Sequence, residues 1–165
     1  MISVRAALPS DALAMSALLN EVIAAGGTTA HQRPFEPARM LRHYIEPEGL
    51  VVCMVAETAG KIVGFQCLVW PNDEEDPFPD GWAIIATFAQ VGMTCSGVGT
   101  ALFAATKAMA ARAGVRTIDA TIRADNTGGL RYYAKMGFRD YDRMTCVPLR
   151  NGTPVDRIRK RFDVA

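Results

Sequence analysis

Cysteine is scarce and never clustered: Cys53, Cys67, Cys95 and Cys146 are the four in 165 residues, and no two of them form a Cys-x-x-Cys pair. That spacing speaks against a zinc site and against a disulfide framework, and no metal is expected. The apolar, strand-like surroundings of Cys53 and Cys67 suit reduced, buried thiols. Excess charge is missing as well. With 18 basic and 17 acidic residues, nothing in bulk electrostatics favours nucleic acid or an anionic membrane as a partner. No apolar run approaches the roughly 20 residues of a membrane span. Met1-Ile2-Ser3-Val4-Arg5 lacks the basic and then apolar build of a signal peptide, so a cytoplasmic protein is expected. What remains is a chain that is 50% hydrophobic, enough for one well-filled domain over residues 1–165 and too little for two.

Hydrophobic period and punctuation predict the elements. Ile2 to Leu8 reads as a strand, and Ser10 or Asp11 caps a helix with Leu13, Ala14, Ala17, Leu18, Val22 and Ile23 on one face. Gly26-Gly27 ends it. Phe35 to Ile45 is a second helix, stopped by Pro47. Leu50 to Ala56 and Ile62 to Trp70 form a hairpin around Thr58-Ala59-Gly60-Lys61. Pro71 to Gly81, with three prolines and five acidic residues, reads as a solvated loop. Trp82 to Val91 is a strand and Val98 to Ala113 a helix closed by Gly114. Arg116 to Ile122, Asn126 to Met136, a strand opening at Phe138 and Val155 to Phe162 complete the order β-α-α-β-β-β-α-β-α-β-β. An Asn-Gly turn is expected at Arg150 to Thr153. The alternating arginines of 157–161 suggest the exposed face of an edge strand.

The chemistry centres on Thr94-Cys95-Ser96-Gly97-Val98-Gly99-Thr100, between a strand and a helix. Such a turn offers backbone N–H groups and a helix N-terminus to an anion. A Walker A loop needs a lysine after the second glycine, and Thr100 stands there. A dinucleotide turn needs a third glycine, and Leu102 stands there instead. A glycine-rich helix start without a ligand stays open at this point.

A second segment narrows the choice: Asn126-Thr127-Gly128-Gly129-Leu130-Arg131-Tyr132-Tyr133-Ala134-Lys135-Met136-Gly137-Phe138. Together the two segments resemble the GNAT-type N-acetyltransferases, with their acetyl-CoA loop and downstream Asn-x-x-Ala-x-x-x-Tyr-x-Lys-x-Gly-Phe helix. Asn126, Tyr133, Lys135, Gly137 and Phe138 match. Gly27-Thr28-Thr29 and Val147-Pro148-Leu149 bring the chain nearest in appearance to the phosphinothricin and amino-acid acetyltransferases. Thr94 replaces the usual Gln or Arg, Cys95 a frequent Gly, and Gly129 the motif alanine.

The resemblance implies a mixed, mostly antiparallel α/β sheet with helices on both faces. It implies acetyl-CoA as cosubstrate and transfer to a primary amine of a small molecule. Cofactor contacts are then expected from Ala89, Gln90, Val91, Thr94, Cys95, Ser96, Gly97, Val98, Gly99, Thr100, Asn126 and Tyr133. Ala89 would give a backbone N–H to the thioester carbonyl, and Tyr133 would be the general acid. Tyr132 reads as packing on the helix face. Trp82 to Val91 carries no acidic residue to act as base, so water, His31 or Glu36 is left for that task; His43 reads as structural. A binding or regulatory module with the same fold and little turnover is the alternative. A homodimer through an edge strand or the C-terminal hairpin is compatible with the sequence.

Overall fold

The computed structural model describes residues 1–93 and 96–164. The expectations placed on Thr94 and Cys95 therefore lie outside the described residues. Strands β1 (Ser3–Ala6), β2 (Leu50–Thr58), β3 (Lys61–Val69), β4 (Trp82–Ala89), β5 (Thr117–Arg123), β6 (Arg139–Pro148) and β7 (Pro154–Asp163) form one seven-stranded sheet ordered β1-β2-β3-β4-β5-β7-β6. All neighbours are antiparallel except β4 and β5. Helices α1 (Ala12–Ala25) and α2 (Pro37–Met40) cover one face, and α3 (Val98–Arg112) and α4 (Thr127–Lys135) the other. The expected element order and mixed sheet are therefore observed. Among the described residues no helix is long and apolar enough to cross a membrane.

The two faces are built by strand alternation. Cys53, Val55, Phe65 and Cys67 pack beneath Met15, Leu19, Met40 and Tyr44. Val52, Leu68, Ala83 and Ile85 pack with Phe103, Ala110, Tyr133 and Phe138 on the other side. Each large apolar side chain buried this way stabilises the fold by ~1.5–3 kcal/mol. At Gly64 on β3 a Cβ would stand 2.7 Å from Val98 Cγ1. The missing side chain is what lets the start of α3 settle on the sheet.

Several expectations are corrected. Asp11 does not cap α1; its carboxylate accepts from Leu8 N–H at 2.7 Å and grips the Arg5 guanidinium at 2.7 and 2.9 Å. The second helix begins at Pro37 rather than Phe35, and its α-helical part is short: α2 passes at Met40 into a wider π-type turn, Leu41–Ile45. The loop 71–81 is partly docked: Asp76 bridges Arg159 at 2.5 and 3.1 Å, and Phe78 packs on Trp82. Strand β7 is internal, between β5 and β6, so its arginines do not line a sheet edge. At the β6–β7 turn Gly152 alone takes a left-handed φ of 86°, with Gly152 N–H donating to Leu149 O and Leu149 N–H to Thr153 O. This is a type I turn with a glycine bulge, not the two-residue Asn-Gly form.

One irregularity positions the site. Strands β4 and β5 pair only at Trp82–Thr117, Ala83–Ile118 and Ile84–Asp119. Beyond Ile84 they part, and the second half of β4 borders an opening in the sheet.

Candidate active site

Register decides which backbone groups of β4 face that opening. Gln90 N–H donates to Val63 O at 2.9 Å, and Ala89 lies opposite Gly64. In an antiparallel ladder this places Ala89 in a non-hydrogen-bonded pair, with its N–H directed away from β3 toward the gap. At Gln90, expected to contact the cofactor, the N–H is held by Val63 O and the C=O accepts from Met93 N–H at 3.0 Å, which leaves the side chain for such a contact. Val91 is exposed in the turn beyond the strand.

The start of α3 closes one end of the opening. Gly97 caps it at φ 86°, a left-handed backbone that suits glycine, and Ala101 N–H makes the first helical bond to Gly97 O. Among the described residues no side chain caps the helix closely. Ser96 Oγ donates back to Met93 O at 2.6 Å and stands 3.5 Å from Val98 N. Val98 N–H donates this long bond to Ser96 Oγ, while the N–H groups of Gly99 and Thr100, without a partner among the described residues, form the positive end of the helix.

Helix α4 supplies the side chains. Tyr133 is buried against Phe138, and its hydroxyl lies 2.8 Å from Thr87 Oγ1 on β4. Burial holds this phenol well above the ordinary tyrosine range, so it stays protonated. Gln66 on β3 donates to both Thr87 Oγ1 (2.9 Å) and Tyr132 OH (3.1 Å), while Tyr132 OH donates to Gly99 O at 2.7 Å. Burial also pushes Tyr132 up, to about 12. This chain of hydrogen bonds joins the tyrosine beside β4 to the first turn of α3. Gln66 and Thr87 were not singled out from sequence; a glutamine and a threonine inside apolar strands are the signal that could have found them. Tyr132 does more than pack. A Cβ on Gly99 would lie 2.4 Å from its Cε1, so the second glycine of the turn serves the tyrosine ring.

Asn126 sits at the mouth with both ends of its amide occupied. Its Oδ1 accepts from Gly129 N–H at 2.9 Å, capping α4, and its Nδ2 donates to Thr28 O at 3.0 Å. Arg123 likewise donates to Thr29 O at 2.9 Å. Together they fasten the 28–33 loop over the end of β5.

His31 lies on the opposite face of β4 from Tyr133, among Phe35, His43, Tyr44 and Phe88. Its Nε2 is 2.6 Å from Tyr44 OH. Burial, with help from His43 and Arg39, pushes its pKa down to about 4, so the ring is neutral at physiological pH and a weak base. Glu36 is exposed at the start of α2. His43 packs edge-on against Tyr44 at 4.4 Å and borders an apolar cavity of about 180 Å³. Nearby, Asn151 N–H donates to Gln32 Oε1, and a groove of about 470 Å³ opens between Gln32, Arg33, Arg150 and Asn151.

A mixed sheet split between parallel neighbours, with a helix N-terminus at one end and a protonated tyrosine alongside, is the arrangement of a CoA-dependent acyltransferase. Residues 16–138 match the family model of the acetyltransferase (GNAT) family, and the chain belongs to that family. No curated protein matches the sequence. Among solved structures it is similar to yncA of Salmonella typhimurium, solved with its cofactor acetyl-CoA, with a TM-score of 0.85 and 18% identity over 99% of this chain and 94% of that one. The phosphinothricin acetyltransferase of Sinorhizobium meliloti, in complex with acetyl-CoA, gives 0.81 and 18% over 98% and 88%. The ribosomal-protein-alanine N-acetyltransferase of Brucella melitensis gives 0.81 and 18% over 98% and 99%. These likenesses concern the fold; the three named acceptors and ligands belong to those proteins.

Proposed function

We propose that residues 1–165 act as one N-acetyltransferase domain that moves the acetyl group of acetyl-CoA to a primary amine of a small molecule. The observation that carries this reading is the parting of β4 and β5 after Ile84, with Ala89 N–H directed into the gap. A strand-like pantetheine arm fits an edge of that kind, and the amides of Val98, Gly99 and Thr100 at the start of α3 suit a pyrophosphate. Bound acetyl-CoA supplies an activated thioester, so the protein's task is placement and charge stabilisation.

In this reading Ala89 N–H donates to the thioester carbonyl oxygen, where negative charge develops. Tyr133 holds its proton through burial and delivers it to the departing sulfur, with Thr87 fixing the hydroxyl. Gln66 and Tyr132 keep β4 and the α3 N-terminus in register. His31, low in pKa and on the acceptor side, acts as an acceptor contact rather than a strong base, and water removes the ammonium proton. Strand β4 carries no carboxylate, which is the observation favouring a binding module without turnover. One assay separates the two: thiol release from acetyl-CoA over a panel of small primary amines, with mass spectrometry of the product. An N-acetylated product is expected; acetyl-CoA binding with no thiol release across the panel would favour the module.

A further inference from the structure

Gln66 is fully enclosed in the apolar middle of β3, and its Oε1 has no hydrogen-bond partner among the described residues. An apolar side chain of the same size would fill this place without leaving a carbonyl dry. An amide kept here is kept for its other end, and the bonds of that end have a fixed direction. Gly99 O can only accept, so the Tyr132 hydroxyl points its single hydrogen there, at 2.7 Å. The Tyr132 oxygen is then an acceptor for Gln66 at 3.1 Å, which makes the facing atom of the amide its nitrogen. The second hydrogen of that nitrogen goes to Thr87 Oγ1 at 2.9 Å.

Thr87 Oγ1 has one hydrogen and two lone pairs. Gln66 fills one lone pair, and the Tyr133 hydroxyl stands 2.8 Å away. While the phenol is protonated, either oxygen can donate across this contact. Once the proton has gone to a departing sulfur, only Thr87 can donate, and it is the one partner of the Tyr133 oxygen among the described residues. That bond matters because the surroundings oppose a phenolate. Burial opposes it most, the Thr87 hydroxyl works the other way, and Tyr132 and Asp119 add to burial. A hydroxyl that already accepts a hydrogen bond donates more strongly. The Gln66 amide therefore turns the Thr87 hydrogen away from itself and strengthens it.

We propose that Gln66 is a positioning residue for the acid: acting through Thr87, it keeps a hydrogen bond on the Tyr133 oxygen after the proton has left. This rests on the N-acetyltransferase reading above, with Tyr133 as the acid. In that step the Tyr133 O–H bond breaks, an S–H bond forms, and the negative charge passes from the sulfur to the phenolate oxygen. The proton that water takes from the ammonium then restores the phenol.

Two readouts test the proposal. In the protein without ligand, difluorotyrosine replaces Tyr133 and its titration is followed by fluorine NMR. Thr87→Val and Gln66→Met should each raise that pKa by about one unit, the worth of one hydrogen bond to a charged oxygen. Thr87→Ser, which keeps the hydroxyl, should leave it in place. In turnover with acetyl-CoA and any amine that the wild type acetylates, Thr87→Val and Gln66→Met should lower kcat about three- to tenfold. The acetyl-CoA Kd and the amine KM should stay within twofold, and Thr87→Ser should match wild type. In the Tyr133→Phe background neither change should lower kcat further. Gln66→Leu takes the place of Gln66→Met if the latter does not fold. A fluorine titration that does not move in the Gln66 variant, or a kcat loss of equal size in the Tyr133→Phe background, overturns the inference and leaves the N-acetyltransferase reading standing. Wild type that binds acetyl-CoA and turns over no small primary amine overturns both.

Discussion

Replacing Gly99 with alanine should destabilise the protein, although the same change at most helix positions stabilises it. The new Cβ would lie 2.4 Å from Tyr132 Cε1, 3.0 Å from Cζ and 3.1 Å from Cδ1. The ring has little freedom to withdraw, since its hydroxyl bonds Gly99 O at 2.7 Å and Gln66 Nε2 at 3.1 Å. Overpacking of this kind costs ~1–3 kcal/mol. Alanine's better helix propensity returns roughly 0.5–1 kcal/mol. The net loss is about 0–2.5 kcal/mol, and at about 2–4 °C per kcal/mol for a chain of this size the Tm should drop by up to about 10 °C. Thermal unfolding followed by circular dichroism reads this directly. The cause is isolated by a cycle with Tyr132→Ala: without the ring, Gly99→Ala should be neutral or slightly stabilising, giving a coupling of at least about 1 kcal/mol. A Tm that rises in the wild-type background, or an equal cost in both backgrounds, would refute the claim that this glycine exists to seat Tyr132.

Tyr133→Phe should lower kcat by ~10²-fold or more, the usual worth of a placed proton donor, with acetyl-CoA Kd within threefold by calorimetry; a kcat within twofold of wild type would remove the acid role. Gly64→Ala brings a Cβ to 2.7 Å from Val98 Cγ1 and 3.1 Å from Phe88 O, so urea unfolding should show a loss of ~1–3 kcal/mol, and an unchanged midpoint contradicts it. His31 titrates at about 4 when folded against 6.5 ordinarily. As its folded pKa is the lower, the unfolded chain takes up the proton first as pH falls, and stability present above pH 6.5 is lost toward pH 4. Wild type should lose up to about 3 kcal/mol relative to His31→Gln between pH 7 and 4; parallel pH dependences of the two urea midpoints would contradict this.

The element order was legible because each segment carries its own punctuation: Gly26-Gly27 after α1, Gly114 after α3, Gly137 after α4. All of these adopt positive φ. Misread features depend on contacts distant in sequence. Asp11 resembles a cap until Arg5 is beside it, and loop 71–81 looks solvated until Asp76 meets Arg159, 83 residues on. The interior position of β7 follows from a crossover that local pattern does not encode. At the candidate site the α3 N-terminus was legible in its glycine turn, while Tyr133 and Ala89 came from the resemblance to the GNAT acetyltransferases. Thr87 and Gln66, which tie them together, lie on β4 and β3, and only register brings them under Tyr132 and Tyr133. His31 stands in a polar stretch that gives no sign of burial, and it is burial among Phe35, Tyr44 and Phe88, then His43 and Arg39, that lowers its pKa.

The central claim is that the gap between β4 and β5 serves acetyl transfer to nitrogen. Its most direct test is to incubate the protein with acetyl-CoA and a panel of small primary amines, counting free thiol against N-acetylated product by mass spectrometry. The account predicts one thiol released per amide formed for at least one amine, with turnover lost in Tyr133→Phe. Acetyl-CoA that binds yet yields neither thiol nor amide across the panel would contradict it.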